Sequence, residues 1–311
     1  MTACTETASI KPLPIEPWEE YTKYWAWDGT TPTILLGLSV HDNRFQDSLY
    51  HQQIAALADA GGNFLHFRLD SLPYRGNPAF NDAYWERLET IIDLAEQRRI
   101  VIRLELFPQH APDATAYLDH VWAASRQHRN VLYWLLSSTN DGHHRAYFEA
   151  KVIAEGRIFH LATSLEPFMA ISTTELQYAV TGGVPIAAYF PSKNDRAEFS
   201  SIFTAIRALR VVGQKFDLFN ASPAPHLMKA ANADALAVQN PHNGAMLFYL
   251  PTGGEINILH GIEPQVPLKF TRIGYLGTVR SETLQPPYPA SFRLFTDEER
   301  GGWMLLEPLS P

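Results

Sequence analysis

Side chains able to move protons gather at the ends of apolar runs. His41, Asp42 and Asn43 follow TILLGLSV (33–40), Arg68 and Asp70 close NFLHFRLD (63–70), and Glu105 lies within IVIRLELF (100–107). Asn140 and Asp141 follow VLYWLLSS (131–138), and Glu166 stands in HLATSLEPF (160–168). Carboxylates and imidazoles are general acids and bases, and polar groups converging from the carboxyl ends of several strands are the material of a barrel active site. Each residue also has a plain structural reading. Asn-Asp-Gly (140–142) makes an ordinary turn and helix start, Asp70 opens an Asp-Ser-Leu-Pro turn, and His41 and Asp42 are residues that loops favour. Glu166 could cap the helix after it. A glutamate inside an apolar strand must be paired or wet, so Glu105 is either a rim residue or the partner of Arg68 or Arg103. Arg68 in turn either orients a carboxylate or closes a structural ion pair. His143 and His144 adjoin Asp141, yet neighbouring residues do not readily face one ion, and no His-x-x-x-His or cysteine ligand supports them. Neither a metal nor a cofactor is expected.

The elements that must position these groups alternate regularly. The apolar run at 33–40 precedes a helical pattern at 48–61, and the run at 63–70 precedes NDAYWERLETIIDLAEQRR (81–99). In that helix Trp85, Leu88, Ile91, Ile92 and Ala95 form one stripe at helical spacing, with Asn81 able to cap it. Strand 100–107, helix 114–128, strand 131–138, helix 144–155 and strand 157–163 continue the pattern, and strand 184–190 followed by helix 197–216 ends it. Strand then helix, repeated, means parallel strands with right-handed crossovers. An open doubly wound sheet and a closed barrel both satisfy this. No dinucleotide-type glycine fingerprint follows any strand, since Gly61-Gly62 precedes one. About 190 residues between Thr31 and Asn220 fall short of the roughly 250 typical of eight units, so the barrel is expected to be trimmed, with its irregular wall between Asp141 and Arg157.

Proline marks a change of architecture. Residues 1–220 hold 11 prolines and residues 221–311 another 11, and this doubling of density excludes long helices from the second part. Apolar runs joined by Pro-His-Asn-Gly (241–244) and Thr-Gly-Gly (252–254) predict antiparallel hairpins, hence a small β-sandwich with one edge against the barrel. The division expected is a leader at 1–23, a barrel domain at 24–220 and the sandwich at 221–311.

Composition narrows the partners. The 311 residues carry 25 Lys and Arg against 33 Asp and Glu, a formal charge of -8 that argues against an electrostatic grip on nucleic acid. No stretch approaches the ~20 apolar residues of a membrane span. A single cysteine, Cys4, makes no internal disulfide, and the start lacks a basic region followed by an apolar core. The expectation is a cytoplasmic protein, although a secreted chain already freed of its signal would read the same. A gap in a trimmed barrel wall would leave strand edges needing cover, so self-association as a homo-oligomer is a further expectation.

Taken in order, several segments resemble the glycoside hydrolase superfamily with a (β/α)8 barrel, and within it the cellulase-like and apiosidase-like glycosidases that carry a C-terminal β-sandwich. YWAWDGTTPTILLGLSVHDNRFQ (24–46) is similar to their edge hairpin and first strand, and AALADAGGNFLHFRL (55–69) to their first helix and second strand, with Asn63 and Arg68 at matching places. LQYAVTGGVPIAAYF (176–190) resembles the approach to the last strand. FDLFN through ALAVQNPHNGAMLFYLPTGGEINI (216–258) resembles the passage into the sandwich, and GGWMLLEPL (301–309) its closing strand. The resemblance implies an α/β, TIM-barrel-like fold, possession of a carbohydrate site, and hydrolysis by two carboxyl groups flanking the sugar bond. It places Asn140-Asp141 where those relatives have Asn-Glu, which makes Asp141 the acid/base with a side chain one methylene short. Glu166 falls where the nucleophile is expected if FHLAT is the seventh strand, and has no such role if it is the fifth. The same resemblance makes His41, Asp42, Arg68, Asp70, Glu105 and Asn140 sugar-binding candidates. Tyr189 and Phe190, at a strand end, are the aromatic platform, while Trp134, mid-strand, is expected in the core. Two further readings stay open: a barrel that binds carbohydrate or a protein partner without turnover, and a structural or assembly protein.

Overall fold

The computed structural model describes residues 15–20, 24–41, 50–69, 82–107, 113–136, 142–155, 159–162, 186–189, 196–230, 235–251, 254–258, 266–288, 292–294 and 301–309. Three short strands open it: β1 (Ile15–Pro17), β2 (Trp25–Trp27) and β3 (Thr31–Thr33) form an antiparallel sheet in that order. Residues expected as a leader thus contribute a strand, because β1 pairs with β2 from Ile15–Trp27 to Pro17–Trp25.

The strand–helix alternation then follows the hydrophobic pattern closely. Strand β4 (Leu36–His41) leads to helix α1 (Tyr50–Asp59), β5 (Phe64–Leu69) to α2 (Asp82–Gln97), and β6 (Val101–Leu106) to α3 (Ala114–Ser125). Strand β7 (Val131–Leu136) is followed by α4 (Gly142–Ala154) and β8 (Phe159–Ala162), and β9 (Ile186–Tyr189) by α5 (Arg196–Gly213). The predicted stripe on α2 is the buried one. Asp113 caps α3, its carboxylate accepting the Ala116 N–H at 2.9 Å.

All six strands from β4 to β9 are parallel, in the order β8-β7-β6-β5-β4-β9. From β5 to β8 each strand lies beside its predecessor, and β9 pairs with β4. The outward-pointing residues of β4 to β7 (Leu36, Leu38 and Val40; Leu65, Phe67 and Leu69; Ile102, Leu104 and Leu106; Val131 and Tyr133) share one core with apolar residues of all five helices. Every helix therefore covers the same face of the sheet, which is the arrangement of a barrel wall; a doubly wound sheet would carry helices on both faces. Close strand approach at the start of this wall demands glycine: a Cβ on Gly37 would lie 1.5 Å from the Phe64 carbonyl oxygen.

The stretch from Asp141 to Arg157, expected to be irregular, is mostly a regular helix. Residues 142–154 form an ordinary crossover helix that buries Phe148 and Val152, and β8 then pairs directly with β7. Among the described residues β8 and β9 do not pair, and β8, beside β7, stands fifth counting from β4.

After α5 the chain changes class, as the prolines indicated. Strands β10 (Ser222–Pro223), β11 (Met228–Ala230), β12 (Leu236–Gln239), β13 (Met246–Leu250), β14 (Gly254–Ile258), β15 (Leu268–Gly274), β16 (Val279–Leu284), β17 (Phe292–Leu294) and β18 (Gly302–Pro308) are antiparallel. They form a six-stranded sheet, β10-β12-β13-β18-β15-β16, and a three-stranded one, β11-β14-β17. Phe248, Leu250, Ile256, Phe270, Met304 and Leu306 fill the space between the two sheets. The opposite face of the large sheet, through Val238, Leu247, Ile273, Trp303 and Leu305, joins the core of α5 at Leu209 and Val212. The sandwich therefore meets the barrel through a sheet face and not an edge, because alternate residues of its central strands are apolar on both sides.

Candidate functional site

The inner face of the barrel wall is built in layers. Leu35, Phe64, Val101 and Leu132 close its amino-terminal end, with Ile15, Trp25 and Trp27 of the opening sheet packed beneath them. Above this apolar floor the inward positions turn polar. Ser39, His66 and Arg103 stand side by side in register across β4, β5 and β6; two residues further along lie His41, Arg68, Glu105 and, on β7, Trp134. Period-two alternation sends these residues inward while their neighbours feed the helix-facing core.

Their side chains form one connected cluster. Glu105 Oε2 lies 2.9 Å from Arg68 Nε and 3.0 Å from His66 Nε2, and His66 Nδ1 lies 3.2 Å from Ser39 Oγ. Glu105, His66 and Ser39 are almost fully shielded, whereas Arg68 keeps 16% of its surface exposed and Arg103 and Trp134 are half-buried. The Arg68 Nε–H does not aim squarely at Glu105 Oε2, so charge proximity holds that pair more than aligned hydrogen bonding does. Burial, and then the nearby Arg103, push the His66 imidazole down to about 4. It is therefore neutral at pH 7, and its neighbours assign the proton: Nε2–H faces the carboxylate, and Nδ1 accepts from the Ser39 hydroxyl. The Arg103 guanidinium lies 3.8 Å from the centre of the Trp134 ring and 5.4 Å from that of Phe64. Burial lowers its pKa to about 10, which leaves it cationic at neutral pH. Chemically the cluster can orient a carboxylate, donate hydrogen bonds from two guanidinium groups, and present an indole face, which are the elements of a polar-ligand site.

Of the sequence candidates, the structure brings Arg68 and Glu105 together and puts His41 beside Arg68 in register at the strand end. Tyr189 ends β9 in register with Ser39. Asp42, Asp70, Asn140, Asp141, Glu166 and Phe190 lie outside the described residues. Asn63 is a tie at the opposite end of the wall, accepting the Leu36 N–H at 2.9 Å and donating to Thr33 Oγ1 at 2.8 Å. Trp134, expected in the core, faces the interior instead. Ser39, His66 and Arg103 were not singled out as site residues; a polar residue at every second position of an otherwise apolar strand was the available signal.

Two other features compete by size or composition. Asp93, Glu96 and His128 bring ligand-type atoms within 4.8 Å of one another, with Glu96 Oε2 3.0 Å from His128 Nδ1. This is a titratable cluster of the kind that could do acid/base work or hold a metal ion. It joins the end of α2 to the segment before β7, on the amino-terminal face, and Glu96 Oε1 also accepts the Arg129 N–H at 2.8 Å. A cavity of about 570 Å³ lined by Thr33, Ile34, Leu209, Arg210 and Phe216 opens at the same end. Barrel chemistry is built at the carboxyl ends of the strands, so position favours the interior cluster over both.

No family model matches the sequence, and no curated protein is detectably similar to it. Solved structures do resemble it. A glycoside hydrolase family 5 protein from Bacteroides vulgatus superposes with a TM-score of 0.65 at 12% identity, covering 95% of this chain and 94% of that one. A second glycoside hydrolase gives a TM-score of 0.59 at 11% identity over 96% and 97% of the two chains. At such identities the likeness is one of fold: a parallel barrel-like wall with a separate antiparallel module.

Proposed function

We propose that this protein is a glycoside hydrolase-like barrel that binds carbohydrate at the carboxyl ends of its strands and cleaves O-glycosidic bonds with a pair of carboxyl groups. The observation that carries the reading is the interior cluster, in which the Arg68–Glu105 ion pair and the neutral His66 form a polar network beneath the strand ends with Trp134 beside it. A wall that needed only to pack would fill these positions with apolar side chains, as it does one layer lower. Asp141, following β7, is the proposed acid/base, and Glu166 the proposed second carboxylate. Glu166 follows a strand that stands fifth in the wall, so the resemblance gives it no nucleophile role; it is proposed only as the carboxyl group that follows the strand beside β7, and its assignment is the part most directly open to test. The alternative is a barrel that binds sugar without turnover, and the shorter Asp141 in place of glutamate favours it.

Hydrolysis of a broad panel of nitrophenyl glycosides and oligosaccharides, run on the wild type, Asp141→Asn and Glu166→Gln, decides between them. The hydrolase reading expects turnover that collapses in Glu166→Gln, and in Asp141→Asn fails first for poor leaving groups. Turnover unchanged by Glu166→Gln removes that residue from the mechanism. Binding without turnover in the wild type leaves the sugar-binding reading.

A further inference from the structure

The cavity at the amino-terminal end of the wall is lined by a guanidinium that no described carboxylate pairs. Arg210, in the last turn of α5, lies across Gly61, where a Cβ would stand 2.9 Å from Arg210 Cγ and where φ is 81°. Its Nε donates to the Gly61 carbonyl at 2.6 Å and its Nη2 to the Ile34 carbonyl at 3.0 Å. These bonds tie α5 to the wall and use two of the five N–H donors of the side chain. Among the described residues Nη1 has no acceptor, yet it is not sealed from solvent, and Arg210 forms part of the cavity lining. Burial lowers the guanidinium to about 10, which leaves it cationic at neutral pH. The rest of the lining is largely apolar: Ile34, Leu209 and Phe216 are buried core side chains, with Phe219 beside them. Lys215 adds an exposed cation. Asp217 also lines the space, but its carboxylate is engaged in its own turn, accepting the Phe219 N–H at 3.2 Å and Asn220 Nδ2–H at 2.6 Å.

We propose that this cavity binds a small organic carboxylate with an apolar body, the carboxylate on Arg210 and the body against Leu209, Phe216 and Phe219. Its volume of about 570 Å³ suits such a ligand, since small-molecule sites span roughly 300–1,000 Å³ and combine apolar walls with a few placed polar groups. The donors left on the guanidinium match a carboxylate in charge and in planar shape. A bare hydrated anion would gain nothing from the apolar walls, and a neutral apolar molecule would leave Nη1 without an acceptor. The site stands apart from the carbohydrate reading, at the opposite end of the wall. Its lining comes from β3, α5 and the segment leading to the sandwich, so an occupant braces their junction and raises the unfolding temperature.

Calorimetric titration of the full chain tests this with 3-phenylpropionate, 3-phenylpropionamide and acetate. The phenylpropionate is expected to bind at least tenfold more tightly than the amide, which lacks the charge, and than acetate, which lacks the body, and to raise the unfolding temperature. Arg210→Gln should erase the preference for acid over amide. Because that change also removes two carbonyl ties, Gly213→Leu tests the location without touching Arg210: Gly213 lines the cavity, and a Cβ there meets only Leu218 Cδ1, at 3.6 Å. It should weaken phenylpropionate tenfold or more and leave the unfolding temperature of the free protein unchanged. Equal affinity for acid and amide in the wild type, or an undiminished preference in Arg210→Gln, would overturn the role of Arg210. Unchanged affinity in Gly213→Leu would place the ligand elsewhere, and no binding of phenylpropionate would overturn the site; none of these outcomes touches the carbohydrate reading.

Discussion

Arg68 and Glu105 occupy the same register position on adjacent strands, and their charged groups meet 2.9 Å apart where Glu105 is almost completely shielded from water. A parallel pair brings inward side chains of neighbouring strands abreast, so the contact is set by register and not by a flexible loop. Removing one member of a buried ion pair strands the other. Glu105→Gln is therefore expected to cost about 3 kcal/mol in urea unfolding. The double variant Arg68→Met with Glu105→Leu should recover much of the loss. A cost below ~1 kcal/mol for the single change would mean that the pair is not buried as described.

His66 supplies a pH dependence. Its folded-state pKa, about 4, is below the ordinary 6.5 because burial and then Arg103 disfavour the imidazolium. Between those values the unfolded chain binds the proton and the folded chain does not. Stability from this group is thus fully present above about 6.5 and is lost as pH falls towards 4, by on the order of 3 kcal/mol. Unfolding measured from pH 7 to 4 on the wild type and His66→Gln should show a steeper decline in the wild type. Parallel curves would remove His66 from the account.

The barrel and the sandwich share a core at Trp303, which packs 4.6 Å from Tyr249 between ring centroids and belongs to the cluster that contains Leu209 and Val212. Truncation there should cost roughly 3–5 kcal/mol. Because the core spans both parts, Trp303→Ala is expected to lower a single thermal transition. Separation into two transitions would show that the parts unfold independently.

The strand–helix order could be read because each helix had one apolar stripe and each strand one apolar face; α2 and its neighbours differ from expectation only at their ends. Strand β16 is not legible in the sequence, because every residue but Leu284 is exposed and VRSETL shows no alternation of apolar and polar residues. The face contact of the sandwich was missed for the opposite reason, since strands apolar on both sides look alike whether they are covered by a sheet or by a helix. In the site, Glu105 announced itself as a charge inside an apolar strand, and its need for Arg68 or Arg103 followed from that. Ser39 and His66 did not, because small or neutral polar residues in strands are common. What binds them together is register across three strands, which a single sequence does not state.

The central claim is that carbohydrate is recognised inside the barrel wall and not at its amino-terminal end. Saturation-transfer NMR against a mixture of D-glucose, D-galactose, D-mannose, D-xylose, L-arabinose and D-glucuronate tests it directly on the wild type, Arg68→Gln and Glu96→Gln, with the dispersion of each spectrum reporting the fold. The account predicts saturation of at least one sugar by the wild type, loss of that signal in Arg68→Gln and its retention in Glu96→Gln. Sugar signals that survive Arg68→Gln and vanish in Glu96→Gln, or no sugar signal from the wild type, would contradict it.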